Sequence, residues 1–263
     1  LAELLERLSP TERVELVRLL GDDFDFTALT ELEEAARVSI LSALEPAAVA
    51  DGLAELASDD AVYILEDLNE AQSQAILEKL PFAMQHRLKR SLDFPEETAG
   101  RRMQTDFVAM PPFWTVGQVI DALREESDLP DTFVQIFVVD AAFRLMGTVS
   151  LDRLLRTQRP VKITEIMNEE PRTIRAEEDQ EEAARIFQRY NLLSAAVVDE
   201  GERLVGILTI DDIVDVIEAE ADEDIRALAG AGDAELSDGP LYVARTRIPW
   251  LMINMITAFL ASG

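Results

Sequence analysis

Cysteine is absent from the 263 residues, and histidine occurs once, as His86. Those two gaps exclude a disulfide scaffold, a thiolate zinc site, a Cys nucleophile, a cluster of imidazole ligands and any Ser-His-Asp triad built within one chain. Basic residues are scarce as well: 24 Lys and Arg stand against 52 Asp and Glu, for a formal net charge of -28. Nucleic acid is excluded as a partner, because phosphate backbones are held by clustered Lys and Arg, and anionic lipid would be repelled in the same way. No Gly-rich phosphate loop with its Lys and no nucleophile–base pair is present, so the chain does not read as an enzyme. Low-complexity runs are missing too. Hydrophobic residues make up 48% and charged residues 29%, a globular balance in a chain long enough for two cores.

Carboxylate is what the chain has in excess. Carboxylates at this density repel and raise one another's pKa, and a hard divalent cation relieves both effects. Simple solubility accounts for the same composition. The chain opens with Leu1-Ala2-Glu3-Leu4-Leu5-Glu6, which reads as an acidic amphipathic helix and not as a leader.

Leucine then recurs every twelve residues, at Leu8, Leu20, Leu32, Leu44, Leu56, Leu68, Leu80 and Leu92. This internal repeat predicts one short helix per unit. Helices of about two turns do not stand alone, so they should stack into an all-α superhelical domain over residues 1–100. Within it, Glu45, Asp59, Asp60 and Glu78 are expected to face water.

A second repeat follows. Val138-Val139-Asp140 with Arg144-Leu145-Met146-Gly147-Thr148 returns as Val197-Val198-Asp199 with Arg203-Leu204-Val205-Gly206-Ile207, fifty-nine positions on (206 minus 147). Met103-Gln104-Thr105 and Met167-Asn168-Glu169 lead into the two copies. Each copy reads strand-helix-strand-strand-helix, which makes the chain α+β. The methionine lead-in, Val-Val-Asp and Gly-x-x-Thr-x-x-Asp resemble paired CBS domains, over residues 101–160 and 161–222. The resemblance implies an adenine-nucleotide site, ATP or AMP, with Thr209 on phosphate and Asp212 on ribose. Arg153 stands where the first copy should carry its aspartate, so one nucleotide site at most is expected. An aspartate after a strand is also a helix N-cap, and Asp212 suits that role equally.

From Asp199 to Asp238 the chain carries fourteen acids against Arg203 and Arg226. Asp211, Asp215 and Glu218 follow one helical stripe and could be presented together to another domain, or simply to solvent. Residues 223–247 read as a connecting helix. From Ile248 the sequence is uncharged to the end; with Arg245, Arg247 and Trp250 before and within it, 248–263 is expected to be a transmembrane helix cut short.

The order of these parts, together with Pro95-Glu96-Glu97-Thr98-Ala99-Gly100-Arg101-Arg102-Met103 between superhelix and first copy, resembles the MgtE family of magnesium transporters. The resemblance implies a homodimer attached to its own transmembrane pore domain, with this region cytoplasmic at the plasma or inner membrane. Mg2+ would bridge acidic side chains of the helical domain, the second CBS copy and the connecting "plug" helix, locking the closed state. Glu78, Asp211, Asp215, Asp233 and Asp238 are the implied ligands. The alternative is a nucleotide-sensing CBS module of another membrane transporter.

Overall fold

The computed structural model describes residues 1–126, 129–130 and 132–228. Residues 229–247 of the connecting segment, with Asp233 and Asp238, and the expected transmembrane run 248–263 with Trp250 lie outside the described residues, while 223–228 continue the last described helix. Two compact units are present, Leu1–Ile213 and one starting at Val214.

The first unit begins with an all-helical layer: α1 (Ala2–Arg7), α2 (Pro10–Leu20), α3 (Glu34–Leu41), α4 (Pro46–Leu53), α5 (Ser58–Glu66), α6 (Glu70–Leu77) and α7 (Phe82–Leu92). From α3 to α7 the helices start every twelve residues, as the leucine period predicts. The leucines act at the helix ends: the N–H groups of Leu32, Leu44, Leu56, Leu68 and Leu80 donate to the carbonyls of Leu29, Leu41, Leu53, Leu65 and Leu77 at 3.2–3.3 Å. Each closing turn thus satisfies an orphan helix carbonyl and turns its leucine inward. Those five partner leucines, with Val49, Ile64, Ile76 and Leu88, form one apolar spine.

The expectation of a helix in every unit fails once. Residues 21–32 hold two 3-10 turns, Gly21–Asp23 and Phe26–Leu29. Gly21 takes φ 54°, which stops α2, and Asp25 accepts from the N–H and hydroxyl of Thr27 to nucleate the second turn. Beneath these turns lies Arg37, 2% exposed. Its Nε meets Asp67 Oδ2 at 2.5 Å, its Nη1 donates to Leu29 and Leu32 carbonyls at 3.2 and 3.1 Å, and Tyr63 stacks on it.

After α8 (Ala99–Arg102) the chain forms two small sheets. The first contains β1 (Ala109–Met110), β2 (Gln135–Val139) and β3 (Leu145–Ser150), with helices α9 (Val116–Glu125) and α10 (Leu151–Arg156). The second contains β4 (Thr173–Arg175), β5 (Ser194–Val198) and β6 (Leu204–Thr209), with helices α11 (Gln180–Tyr190) and α12 (Ile210–Leu228). In both, the first strand pairs parallel and the third antiparallel with the middle one.

The copies are interlocked by exchanged lead-in segments. Gln104 pairs with Ile207 of the second copy, and Asn168 with Thr148 of the first. This exchange explains why Gly147 and Gly206 recur in register. A Cβ on Gly147 would sit 2.6 Å from the Asn168 carbonyl oxygen, and one on Gly206 would sit 2.6 Å from Met103 Sδ and 2.9 Å from the Gln104 carbonyl oxygen. The same twofold pattern recurs at the hairpin tips, where Leu145 N–H donates to Glu202 and Leu204 N–H to Phe143. Phe137, Val139, Ala196, Leu204 and Ile207 form the core shared by the two sheets.

Candidate metal centre

Helix α12 starts at a polar corner. Asp212 reaches back one turn, accepting from Thr209 N–H at 3.0 Å and Thr209 Oγ1 at 2.5 Å. This is half of a capping box, and it fixes the Asp212 carboxylate at the helix N-terminus, where the macrodipole favours negative charge. The first turn of α5 brings Asp59 to the same place. Ser58 at that end is 2% exposed and its Oγ accepts from Thr105 N–H at 2.7 Å, anchoring α5 to the segment before β1.

The Asp59 and Asp212 carboxyls meet within hydrogen-bonding reach. Asp59 Oδ1 is shut off from solvent and has no hydrogen-bond donor to satisfy it among the described residues. Burial is the main cause that pushes the Asp59 carboxyl well above its usual range, followed by the charge of Asp212 and then of Asp60. Burial also raises Asp212, though less, because hydrogen bonds from Asp59 and Thr209 favour its ionised form; the Asp211 charge adds to the rise. Two half-buried, mutually facing carboxylates therefore either share a proton or need a cation. The donor set is hard oxygen only, which suits Mg2+: that ion is usually held by one or two carboxylates and keeps several waters. No group of three or more His, Asp or Glu converges among the described residues, so waters would complete any ion's shell.

The structure thus corrects the expectation for Asp59, which faces Asp212 and not water. Its signal was in the repeat: Ala35, Ala47, Ala71 and Ala83 occupy the matching position in α3, α4, α6 and α7, and among these five regularly spaced helices only α5 places a charge there, as Asp59. Thr209 and Asp212 do come together, as a helix cap, with the carboxylate turned to the helical domain. Asp211 is exposed beside the pair, and Asp215 is exposed further along α12. Glu78 is exposed at the end of α6, where it accepts from Gln74 Nε2 at 2.7 Å. Asp233 and Asp238 lie outside the described residues.

A helical superhelix docked on two interlocked sheet-and-helix copies defines a regulatory module of the CBS-pair class carrying an extra helical domain. Residues 1–97 match the MgtE intracellular N domain, and residues 99–159 and 163–219 match the CBS domain. The chain is 34% identical over 292 residues to the magnesium transporter MgtE of Thermus thermophilus, covering 100% of this chain and 62% of that protein. With MgtE of Bacillus subtilis the identity is 26%, covering 100% and 58%. Among solved structures, the soluble part of a magnesium transporter is 31% identical with a TM-score of 0.75, covering 84% of this chain and 87% of that one. The cytosolic domain of the Mg2+ channel MgtE in complex with ATP is 31% identical with a TM-score of 0.62, covering 82% and 93%. The chain belongs to the MgtE family of magnesium transporters. It spans about three fifths of the length of the Thermus and Bacillus relatives.

Proposed function

We propose that this chain is the cytoplasmic Mg2+ sensor of a magnesium channel or transporter, and that Mg2+ between Asp59 and Asp212 holds the helical domain on the second CBS copy. The meeting of those two half-buried carboxylates, contributed by residues 153 positions apart (212 minus 59), is the observation that carries the reading. Without the ion, repulsion between them favours separation; with it, the docked arrangement is favoured and the pore is held closed. A ligand shifts such an equilibrium only by its differential affinity for the two states, and the pair exists only in the docked one. Asp211, Asp215 and Glu78, all exposed, serve as weaker ligands of further ions, with Asp233 and Asp238 from the plug approach. The module works as a homodimer joined to its own pore domain. Support for the dimer comes from Val134 and Leu193, equivalent positions in the two copies that are 46% and 61% exposed.

The second reading, adenine-nucleotide sensing, is favoured by the ATP complex of the related cytosolic domain. Here Asp212 is already engaged by Thr209 and faces Asp59, which favours the metal reading for that carboxylate. Calorimetric titration with Mg2+ and with ATP, paired with small-angle scattering at about 10 mM Mg2+, a level chosen to fill weak hard-cation sites, tests both. Compaction on adding Mg2+ is expected. Heat from ATP alone, with an unchanged radius in Mg2+, would sink the sensor reading.

A further inference from the structure

The segment Pro95–Met103 is used by neither the carboxylate pair nor a nucleotide site. Its backbone is laid on the second copy: Ala99 N–H donates to Glu178 and Gly100 N–H to Ala176 at 2.8 and 2.7 Å, and Gln180 N–H donates back to Glu97 at 2.8 Å. Gly100 is required by this approach, since a Cβ there would lie 2.8 Å from the Ala176 carbonyl oxygen and 2.6 Å from the Phe94 ring. The strip fixes where the next two side chains go. Arg102 Nη1 donates to Glu66 Oε1 at 2.8 Å, and Arg102 Nε to Gln180 Oε1 at 3.1 Å. Arg101, 8% exposed, brings its Nε to 3.9 Å from Glu66 Oε2. Glu66 ends α5, the helix that starts at Ser58 beside Asp59, and Gln180 starts α11.

We infer that Arg102, bridging Glu66 and Gln180, is a metal-independent clasp that sets the Mg2+ concentration at which the helical domain docks. The inference rests on the proposed sensor reading. One end of α5 carries the contact that repels until a cation arrives; the other carries a charge-matched contact that attracts at all times. The planar guanidinium serves both partners at once, which a lysine ammonium cannot do with the same geometry. Docking occurs when the ion's contribution and the clasp together outweigh the repulsion, so weakening the clasp raises the ion concentration required and leaves the response in place. Arg102 is a positioning residue and touches no ion.

The test compares the whole chain with Arg102→Ala, Glu66→Gln, Gln180→Ala, Arg102→Lys and Asp59→Asn, reading the Mg2+ midpoint of compaction by scattering. Glu66→Gln is expected to raise the midpoint about tenfold or more, the loss of one charge-assisted hydrogen bond, and Arg102→Ala, which loses the bonds to both Glu66 and Gln180, by at least as much. Arg102→Lys should recover part of the shift, and Asp59→Asn should remove the response. Thermal unfolding in EDTA identifies any variant that does not fold; Glu66→Gln and Gln180→Ala then carry the result. A midpoint within twofold of wild type in folded clasp variants would overturn the inference. Amide exchange of residues 58–66 in EDTA is an arm that needs no Mg2+: about tenfold faster exchange in Arg102→Ala is expected, and unchanged exchange overturns the clasp. A wild-type chain that ignores Mg2+ would defeat the sensor reading, while the exchange arm would still judge the clasp.

Discussion

Replacing Asp59 by Asn should separate the metal's contribution from everything else at the docking surface. The amide keeps the shape, removes one of two charges, and gives Asp212 a donor. Two unit charges about 4 Å apart at an effective dielectric of about 20 repel by roughly 4 kcal/mol. A shared proton or a screening cation removes part of that in the wild type. An ion bound with a dissociation constant on the order of 1 mM and present at about 10 mM stabilises the docked state by about 1.4 kcal/mol. For a module of this size that corresponds to a rise in Tm of about 3–6 °C. Asp59→Asn is therefore expected to unfold in EDTA at or above the temperature of Mg2+-loaded wild type, and to gain less than about 1 °C from Mg2+. Differential scanning calorimetry in EDTA and in MgCl2 reads both quantities. A variant that unfolds with wild type in EDTA and still gains the full Mg2+ increment would refute the reasoning, because neither repulsion nor ion would then act at this carboxylate.

Acid should mimic the metal. Burial raises Asp59 and Asp212 above their unfolded values, so their contribution to docking is complete below the unfolded carboxylate pKa and is lost as pH rises through the folded values; compaction in EDTA is expected to increase on acidification, as read by scattering. Gly147→Ala should cost about 1–3 kcal/mol in urea unfolding, and more than Gly206→Ala, because the backbone carbonyl oxygen opposing the first is nearer, 2.6 Å against 2.9 Å, and the Met103 side chain can yield in part to the second. Arg37→Ala strands Asp67 and two carbonyls and should cost about 3–5 kcal/mol by the same measurement, with no change in the Mg2+ increment expressed as free energy.

The helical domain was legible because its period is local: a leucine every twelve residues is both the repeat and the atom-level closure of each helix. Residues 21–32 broke the rule through Gly21 and Asp25, whose preference for turns outweighs one leucine in the spine. The duplicated copies were legible through Gly147 and Gly206, but which segment those glycines accommodate was not, since Gln104 and Asn168 cross to the opposite copy. The site was half visible. Asp212 stands out by its motif, and its motif points to ribose; its partner Asp59 looks like an ordinary first-turn acid, and only the alanines at the equivalent positions betray it. Long-range meetings of this kind depend on how one domain docks on another, which no local pattern encodes.

The exchange of lead-in segments also bears on how the chain acquires its structure during synthesis. Helices α3 to α7 close mostly with near neighbours in sequence, so the helical layer has what it needs once about a hundred residues are made, and low contact order favours early folding. Gln104 cannot find its strand until Ile207 has emerged, about another hundred residues later, and the first sheet remains without its bordering contact from Asn168 for part of that time. Ribosome-bound chains ending just before Leu204 should therefore expose an unpaired edge, the stage at which a neighbouring nascent chain could donate the missing segment in place of the chain's own.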